Sequence, residues 1–344
     1  MSELQLSVAL PPSARIADYA RAAEEAGCIR LWLFDSPAVY GDIWIAAARA
    51  ADATSELGVG TGVAVPSLRH PMVTAAAIAT IEETAPGRLT CAFGTGFTAR
   101  RALGQKPLAW ARVAEYVRTL RALLNGDLVE IDDAPCQMLH MSGWAPRRPI
   151  RTLLWVAPSG PKGMAVAEAI DADGVLLSQP PESPLKSSRP AAMIVSGTVL
   201  RPGENHEDAR VIEAAGPWYA AMWHAVYEAA PDYVTELPGG DVWLDGLRAV
   251  RPAGQMHLGV HEGHVCALTD RDRKAIHEAG SGILEYGWTG PAAKVRSAAA
   301  NSAALGITEI VYTPAGPDIA GEIDAFSQAF HGWGASAPPA YPCT

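Results

Sequence analysis

Runs of apolar residues recur along the chain, each followed by a stretch with helical spacing. The runs cover residues 4–10, 31–34, 57–65, 89–93, 153–156, 174–177, 193–199 and 310–312. Most are continuously hydrophobic instead of alternating, the pattern of parallel strands covered on both faces. Between them, Val113, Val117, Leu120 and Leu124 fall on one helical face, with Asn125 and Gly126 as a stop signal. Ala20, Ala23 and Ala26 lead to Gly27 in the first such helix, and Val73, Ala76, Ala77, Thr80 and Ile81 mark the third. The repeated alternation predicts an α/β fold, a (β/α)8 TIM barrel ahead of a doubly wound sheet.

Two stretches break the rhythm. Between residues 177 and 193, Pro180, Pro181, Pro184 and Pro190 leave no room for an ordinary crossover helix. From about 204 to 290 comes a helix carrying Trp218, Met222, Ala225, Val226 and Ala229, ended by Pro231, and then a loop region rich in Gly, Trp and His. The expectation is a single barrel domain over residues 1–334, with an insertion at about 204–290 near the carboxyl-terminal end of the barrel and a flexible tail at 335–344.

Composition narrows the function classes. With 49% hydrophobic and 19% charged residues, the 344-residue chain can bury a large core, which excludes disorder. Lys and Arg number 27 against 37 Asp and Glu, a net charge of −10 with no long run of either sign. That balance argues against nucleic acid and anionic membrane surfaces as partners, because both need a concentrated basic face. Cys28, Cys91, Cys136, Cys266 and Cys343 are scattered and read as reduced thiols. No signal-peptide pattern or membrane-length apolar run is evident, so the expected location is cytoplasmic.

In such barrels the chemistry sits at the carboxyl ends of the strands. Here those ends carry Asp35 and Ser36, then Gly62 and Val63 followed by Arg69 and His70, then Gly94, Thr95, Gly96 and Phe97, and finally Ser159, Gly160, Pro161, Lys162 and Gly163 running into a helix. Glycines there let a flat ring approach the backbone, although a plain turn role accounts for any one of them alone. The helix start at residues 159–163 offers free N–H groups to a phosphate, with Lys162 adding charge.

The stretch Leu57, Gly58, Val59, Gly60, Thr61, Gly62, Val63 with Arg69, His70 and Pro71 resembles the third-strand signature of the luciferase-like monooxygenases and their F420-dependent relatives. Pro86, Gly87 and Arg88 with Phe93, Gly94, Thr95 and Gly96 resemble the fourth strand and its loop, and residues 290–311 the last helix and strand. The resemblance covers residues 4–178 and 288–330 and implies a flavin- or deazaflavin-dependent oxidoreductase. It implies coenzyme F420 as cofactor, with FMN as the alternative, and a non-prolyl cis peptide at Gly62–Val63 behind the ring. Asp35, Gly62, Val63, Thr95, Gly96 and residues 159–163 would hold the cofactor. Asp35 and Ser36 are the catalytic candidates, and Phe97, His70, Trp218 and His261 the substrate candidates. The family also implies a homodimer and, for the FMN alternative, a separate reductase supplying reduced cofactor to an oxygen-using monooxygenase.

The chain departs from the sugar-phosphate dehydrogenases of this group. Ser36 stands where they carry a histidine, and Phe97 where they carry a glutamate. Without that acid–base pair the expected substrate is a small, apolar organic molecule. His257, His261 and His264 with Glu262 form a compact cluster. A structural role is the first reading, a proton donor the second and a zinc site the third, since Gly259 and Gly263 weaken a shared helical face; no metal is assigned. A flavin-binding protein without turnover and a metal-dependent barrel hydrolase complete the alternatives.

Overall fold

The computed structural model describes residues 4–332. Along the chain come strands β1 (Gln5–Leu10), β2 (Arg30–Leu33), β3 (Gly58–Ala64), β4 (Leu89–Phe93), β5 (Val129–Ile131), β6 (Ala134–Cys136), β7 (Leu153–Val156), β8 (Val175–Leu177), β9 (Ala191–Ser196) and β10 (Glu309–Thr313). β5 and β6 form a separate antiparallel hairpin; the other eight pair in parallel and close into a barrel in the order β1-β10-β9-β8-β7-β4-β3-β2. Each apolar run of the sequence supplies one barrel strand, so the (β/α)8 architecture is observed.

Helices α1 (Ile16–Glu25), α2 (Ile43–Ala53), α3 (Pro71–Thr84), α4 (Phe97–Arg101), α5 (Trp110–Asn125) and α6 (Pro161–Ala169) connect the strands as far as β8. Among the described residues no helix joins β8 to β9, where the prolines lie. Between β9 and β10 come α7 (Ala209–Ala229), α8 (Gly240–Val250), α9 (His257–Val260), α10 (Asp270–Ala279) and α11 (Ala292–Ala304), and α12 (Ile319–His331) follows β10. No helix among the described residues is long and apolar enough to cross a membrane. The tail expected at 335–344 lies outside the described residues.

Local chemistry explains these elements. In β2, Leu31 and Leu33 face the helix layer while Trp32 points into the barrel. Trp32 and Trp155 meet inside it with ring centroids 5.5 Å apart, packed by Ala9, Ala92, Ala192 and Val311. Two indoles fit only because their neighbours lack side chains: a Cβ at Gly60 would fall 2.4 Å from Trp32, and one at Gly174 would fall 2.2 Å from Trp155. At the opposite end from the candidate site, buried Glu309 accepts hydrogen bonds from Ser7 Oγ (2.6 Å) and Trp32 Nε1 (2.8 Å) and pairs with Arg30. That network closes the amino-terminal mouth.

On α5 the face predicted from spacing, Val113, Val117, Leu120 and Leu124, is buried, each worth about 1.5–3 kcal/mol relative to exposure. Gly126 ends the helix at φ +91°. The third helix needs correction: Thr74, Ala75, Ile78, Ala79 and Ile81 face the barrel, whereas Val73 is 57% exposed. Alanine supplies apolar residues all round that helix, so hydrophobicity alone does not select its inner face.

The segment between β9 and β10 has a core of its own, built from Trp223, Trp243, Leu247, Val260 and Ile276. Trp243 Nε1 donates to Asp272 Oδ1 at 2.9 Å, and Thr269 with Asp272 makes a capping box at the start of α10. α7 begins well before the stretch read as helical in the sequence and runs through Pro217. Proline has no N–H to offer the Glu213 carbonyl, and Gly316 packs against that carbonyl instead, where a Cβ would fall 2.8 Å from the oxygen. At its start α7 is tied to the barrel: Arg210 donates to Glu322 Oε1 (2.6 Å) and Thr198 Oγ1 (2.9 Å), and also pairs with Glu204.

Candidate active site

A cavity of about 460 Å³ opens at the carboxyl ends of the strands. Phe34, Asp35 and Ser36 after β2, Gly62 and Val63 in β3, Gly96 and Phe97 after β4, and Ser178 and Gln179 after β8 form its floor. Trp218, Met222 and Ala225 of α7, with His261, His264 and Tyr286, form its roof. The strand ends and the segment between β9 and β10 thus face each other across one space. Its size suits a small-molecule or cofactor site.

The floor is shaped at β3. The Gly62–Val63 peptide is cis, and the pairing of β3 with β4 shifts register between Gly62 and Ala64. Gly94 and Gly96 also have a packing reason to lack a side chain. A Cβ at Gly94 would lie 2.9 Å from Val63, and one at Gly96 would lie 2.5 Å from Val65, with Gly96 itself at φ +74°. Both glycines make way for the side chains of the β3 bulge, so their absence of Cβ is already explained within the protein. Val63 and Val65 in turn line the cavity.

Asp35 is 4% exposed and held on both oxygens. Arg69 Nη1 donates to Oδ1 at 3.0 Å and to Oδ2 at 2.8 Å, the Val65 N–H donates to Oδ2 at 3.1 Å, and Arg69 Nη2 donates to Asp42 at 2.8 Å. Burial pushes the Asp35 carboxyl above its ordinary value against the pull of Arg69. The carboxylate therefore brackets the end of β2 to the bulge of β3. Ser36, 6% exposed, also borders the cavity.

Of the other residues singled out in the sequence, Gly62, Val63, Gly96, Phe97, Trp218 and His261 come together on this cavity. Trp218 Nε1 is buried there without a partner. Thr95, Ser159, Gly160, Pro161, Lys162 and Gly163 do not line it. Ser159, Gly160, Pro161 and Lys162 lie exposed before and at the start of α6, and a Cβ at Gly160 would meet nothing within 4 Å. Gly163 is buried, and a Cβ there would fall 2.7 Å from Trp110. His70 lies apart: its Nδ1 accepts the Met72 N–H at 3.2 Å as the cap of α3, and the ring borders a second cavity of about 250 Å³.

The histidine grouping is corrected. α9 ends at Val260, so His257 does not share a helical face with His261 and His264; a Cβ at Gly104 would lie 3.4 Å from His257 Nε2. His261 and His264 meet His224 of α7 instead, with ring centroids 5.1–5.5 Å apart. His224 Nδ1 and His264 Nδ1 are 2.8 Å apart, and His264 Nε2 lies 3.2 Å from Thr98 Oγ1. Burial first, and then the neighbouring rings, push His224 well down and His264 down to about 3, which favours the neutral form of both. His224 was not found from the sequence. The signal lay in helical spacing: Ala221, His224, Ala225 and Glu228 recur at positions i, i+3, i+4 and i+7, placing two polar side chains on a stripe of small residues.

Comparison with known proteins places this geometry. A family model described as luciferase-like monooxygenase matches residues 3–193. A 5,10-methylenetetrahydromethanopterin reductase of Methanolobus tindarius is 27% identical over 179 residues, covering 48% of this chain and 51% of that protein. An F420-dependent glucose-6-phosphate dehydrogenase of Beutenbergia cavernae is 29% identical over 201 residues, covering 52% of this chain and 57% of that protein. The chain spans about half the length of these curated relatives. Among solved structures, a coenzyme F420 dependent tetrahydromethanopterin reductase from Methanopyrus kandleri superposes with a TM-score of 0.65 at 19% identity, covering 96% of this chain and 99% of the other. The oxygenating constituent of 3,6-diketocamphane monooxygenase from Pseudomonas putida, in complex with FMN, gives 0.58 at 11% identity, covering 95% and 98%. The solved structures share the fold, and the family match over more than half of the sequence assigns the chain to the luciferase-like monooxygenase family.

Proposed function

We propose that this protein is an oxidoreductase that uses coenzyme F420 to exchange a hydride with a small, largely apolar organic substrate. The observation that carries this reading is the cavity itself, at the carboxyl ends of the strands, with Gly62, Val63 and Gly96 on its floor and Trp218, Met222 and Ala225 over it. Its residues fit a flat ring system, with the glycines Gly62 and Gly96 on one side and the Trp218 side chain on the other. Gly62, Val63 and Gly96 would border the ring, and the helix start at residues 159–163, exposed from Ser159 to Lys162, would meet the phosphate. When bound, the deazaflavin supplies hydride chemistry without reaction with oxygen, which reduced FMN in its place would add.

The chain's own groups set the rest. Phe97 on the floor and Met222 on the roof exclude water and favour apolar substrate surface. Asp35, locked between Arg69 and the Val65 N–H, holds the floor in shape. Ser36 offers a hydroxyl to an oxygen on the substrate. The curated relative named for F420 supports this cofactor over FMN.

Titration of the purified protein with coenzyme F420 and with FMN, followed by fluorescence, tests the proposal. F420 is expected to bind at least tenfold more tightly, and Ala225→Trp, which fills the cavity from α7, to weaken that binding by at least tenfold. Preference for FMN with substrate-dependent oxygen uptake would assign the protein to the monooxygenase reading, and binding of neither coenzyme would overturn both.

A further inference from the structure

We propose that His224, His261 and His264 form a binding site for a divalent transition-metal ion of the zinc type, with an open coordination position facing the cavity. One ring nitrogen from each lies within 4.8 Å of the others. Tetrahedral zinc with nitrogen ligands holds them about 3.3 Å apart. His224 Nδ1 and His264 Nδ1, at 2.8 Å, thus need to part only slightly to admit an ion.

Three observations single this cluster out from an ordinary packed histidine. First, three of its six ring nitrogens are buried without a hydrogen-bond partner among the described residues. His224 is 1% exposed and His261 3%, yet His224 Nε2 and both ring nitrogens of His261 make no hydrogen bond. Buried ring nitrogens without partners are rare in folded proteins.

Second, the surroundings orient the rings as outer groups orient metal ligands. His261 Nε2 lies 3.4 Å from Glu228 Oε1, without hydrogen-bond geometry, leaving Nδ1 for the ion. Glu228 is held in turn by Arg101 at 3.3 Å. His264 Nε2 meets Thr98 Oγ1, and an ion would replace the hydrogen bond that its Nδ1 shares with His224 Nδ1. A carboxylate behind a ligating imidazole is a usual arrangement around bound zinc, and His261 has one in Glu228.

Third, the residue that follows one of the ligands is held in an unfavourable conformation. Val265, next to His264, has φ +52°, a region β-branched residues avoid. The His264 carbonyl accepts hydrogen bonds from Tyr40 Oη (2.6 Å) and Cys266 Sγ (3.2 Å), which fix the turn. Strain of this kind gathers where side chains must be aimed.

His261 and His264 line the cavity. Three protein ligands with the fourth position open is the pattern of sites where zinc receives a ligand from outside the protein. The group that fits is an oxygen donor on a molecule in the cavity: a carbonyl, hydroxyl or carboxylate. This places a Lewis acid on the roof, opposite the strand ends. The inference concerns metal binding and stands whichever ring cofactor the floor accepts.

Cobalt provides the test, because its visible absorption reports tetrahedral coordination. The full chain, stripped with chelator and titrated with Co²⁺ in the absence of any coenzyme, is expected to take up one equivalent with intense visible bands, which Zn²⁺ abolishes by competition. His261→Asn and His224→Asn are expected to lose the bands. Glu228→Gln, which leaves all three rings in place, is expected to weaken binding by about 10–100-fold. His257→Ala, outside the cluster, is expected to bind as the parent does. Circular dichroism separates lost ligation from lost folding. Absence of a stoichiometric cobalt complex in the intact protein, or unchanged binding in folded His261→Asn and Glu228→Gln, overturns the proposal; failure of F420 or FMN to bind would leave it standing.

Discussion

Arg69 is the residue on which the floor of the site depends most directly. It places one guanidinium nitrogen on both oxygens of Asp35 and another on Asp42, joining the end of β2 to the turn that begins α2. Removing it strands a carboxylate whose side chain is 1% exposed with only the Val65 N–H for company. Arg69→Met is expected to destabilise the protein by about 3–5 kcal/mol in urea unfolding near neutral pH. The loss should shrink on acidification, as the orphaned carboxyl takes up a proton. Asp35→Asn with Arg69→Met should recover most of the stability; an Arg69→Met protein as stable as the parent would show that the bracket contributes nothing. The sequence put Asp35 at a strand end but gave no sign of this partner, because the two residues are joined only once β2 and β3 lie side by side. Gly94 and Gly96 show the converse ambiguity. A glycine at a strand end looks the same whether it makes room for a ligand or for Val63 and Val65, and only the packing distinguishes them.

Among elements, the barrel strands were legible because burial on both faces makes them continuously apolar. The hairpin of β5 and β6 was not. Its strands are three residues each and largely exposed, and its turn uses Asp132 and Asp133 at φ 51° and 60° instead of the Asn-Gly or Asp-Gly pair that marks such turns. The amino-terminal half of α7 was hidden behind Pro217, a residue that ordinarily ends a helix. That half carries Arg210, the tether to Glu204, Thr198 and Glu322. Hydrogen bonding from Arg210 pulls the Glu204 carboxyl from 4.5 down to about 2. A carboxyl whose value is lower in the folded state contributes stability above its unfolded value and loses it as pH falls through the folded one. Stability is therefore expected to drop between pH 4.5 and 2, and Glu204→Gln to show a shallower decline over that window. Acid unfolding followed by circular dichroism checks this; identical slopes would remove Glu204 from the account.

For the whole molecule, the division of labour is between a barrel core and a second core beneath the roof. Trp223 and Trp243, fully buried with ring centroids 6.3 Å apart, belong to the second. Trp243→Ala should cost about 3–5 kcal/mol of that core's stability. Hydrogen exchange is expected to quicken in α7, α8 and α10 while the amides of β1 to β4 keep their protection, and binding in the cavity should fail. Uniform loss of protection through both regions would mean that the two cores unfold as one. The sequence revealed the long stretch between β9 and β10 by its length and loop residues, but not that it contains a tryptophan core or brings His224 to the other histidines. Those features depend on contacts between distant helices, which spacing within one helix does not report.

The two ends of that stretch leave and rejoin the barrel side by side. The Trp288 N–H reaches the Ser196 carbonyl at 2.8 Å, the Gly290 N–H reaches Thr198 at 3.1 Å, and the Leu200 N–H returns to Gly290 at 2.9 Å. Like a tab sewn through a single slit, the helical cap has both of its chain ends at one seam. Exchange of the entire cap for another of different length, cut at this seam, would bring little added penalty for closing the chain. The eight-stranded scaffold and its Glu309 plug would stay as they are, and selectivity could be rewritten from above.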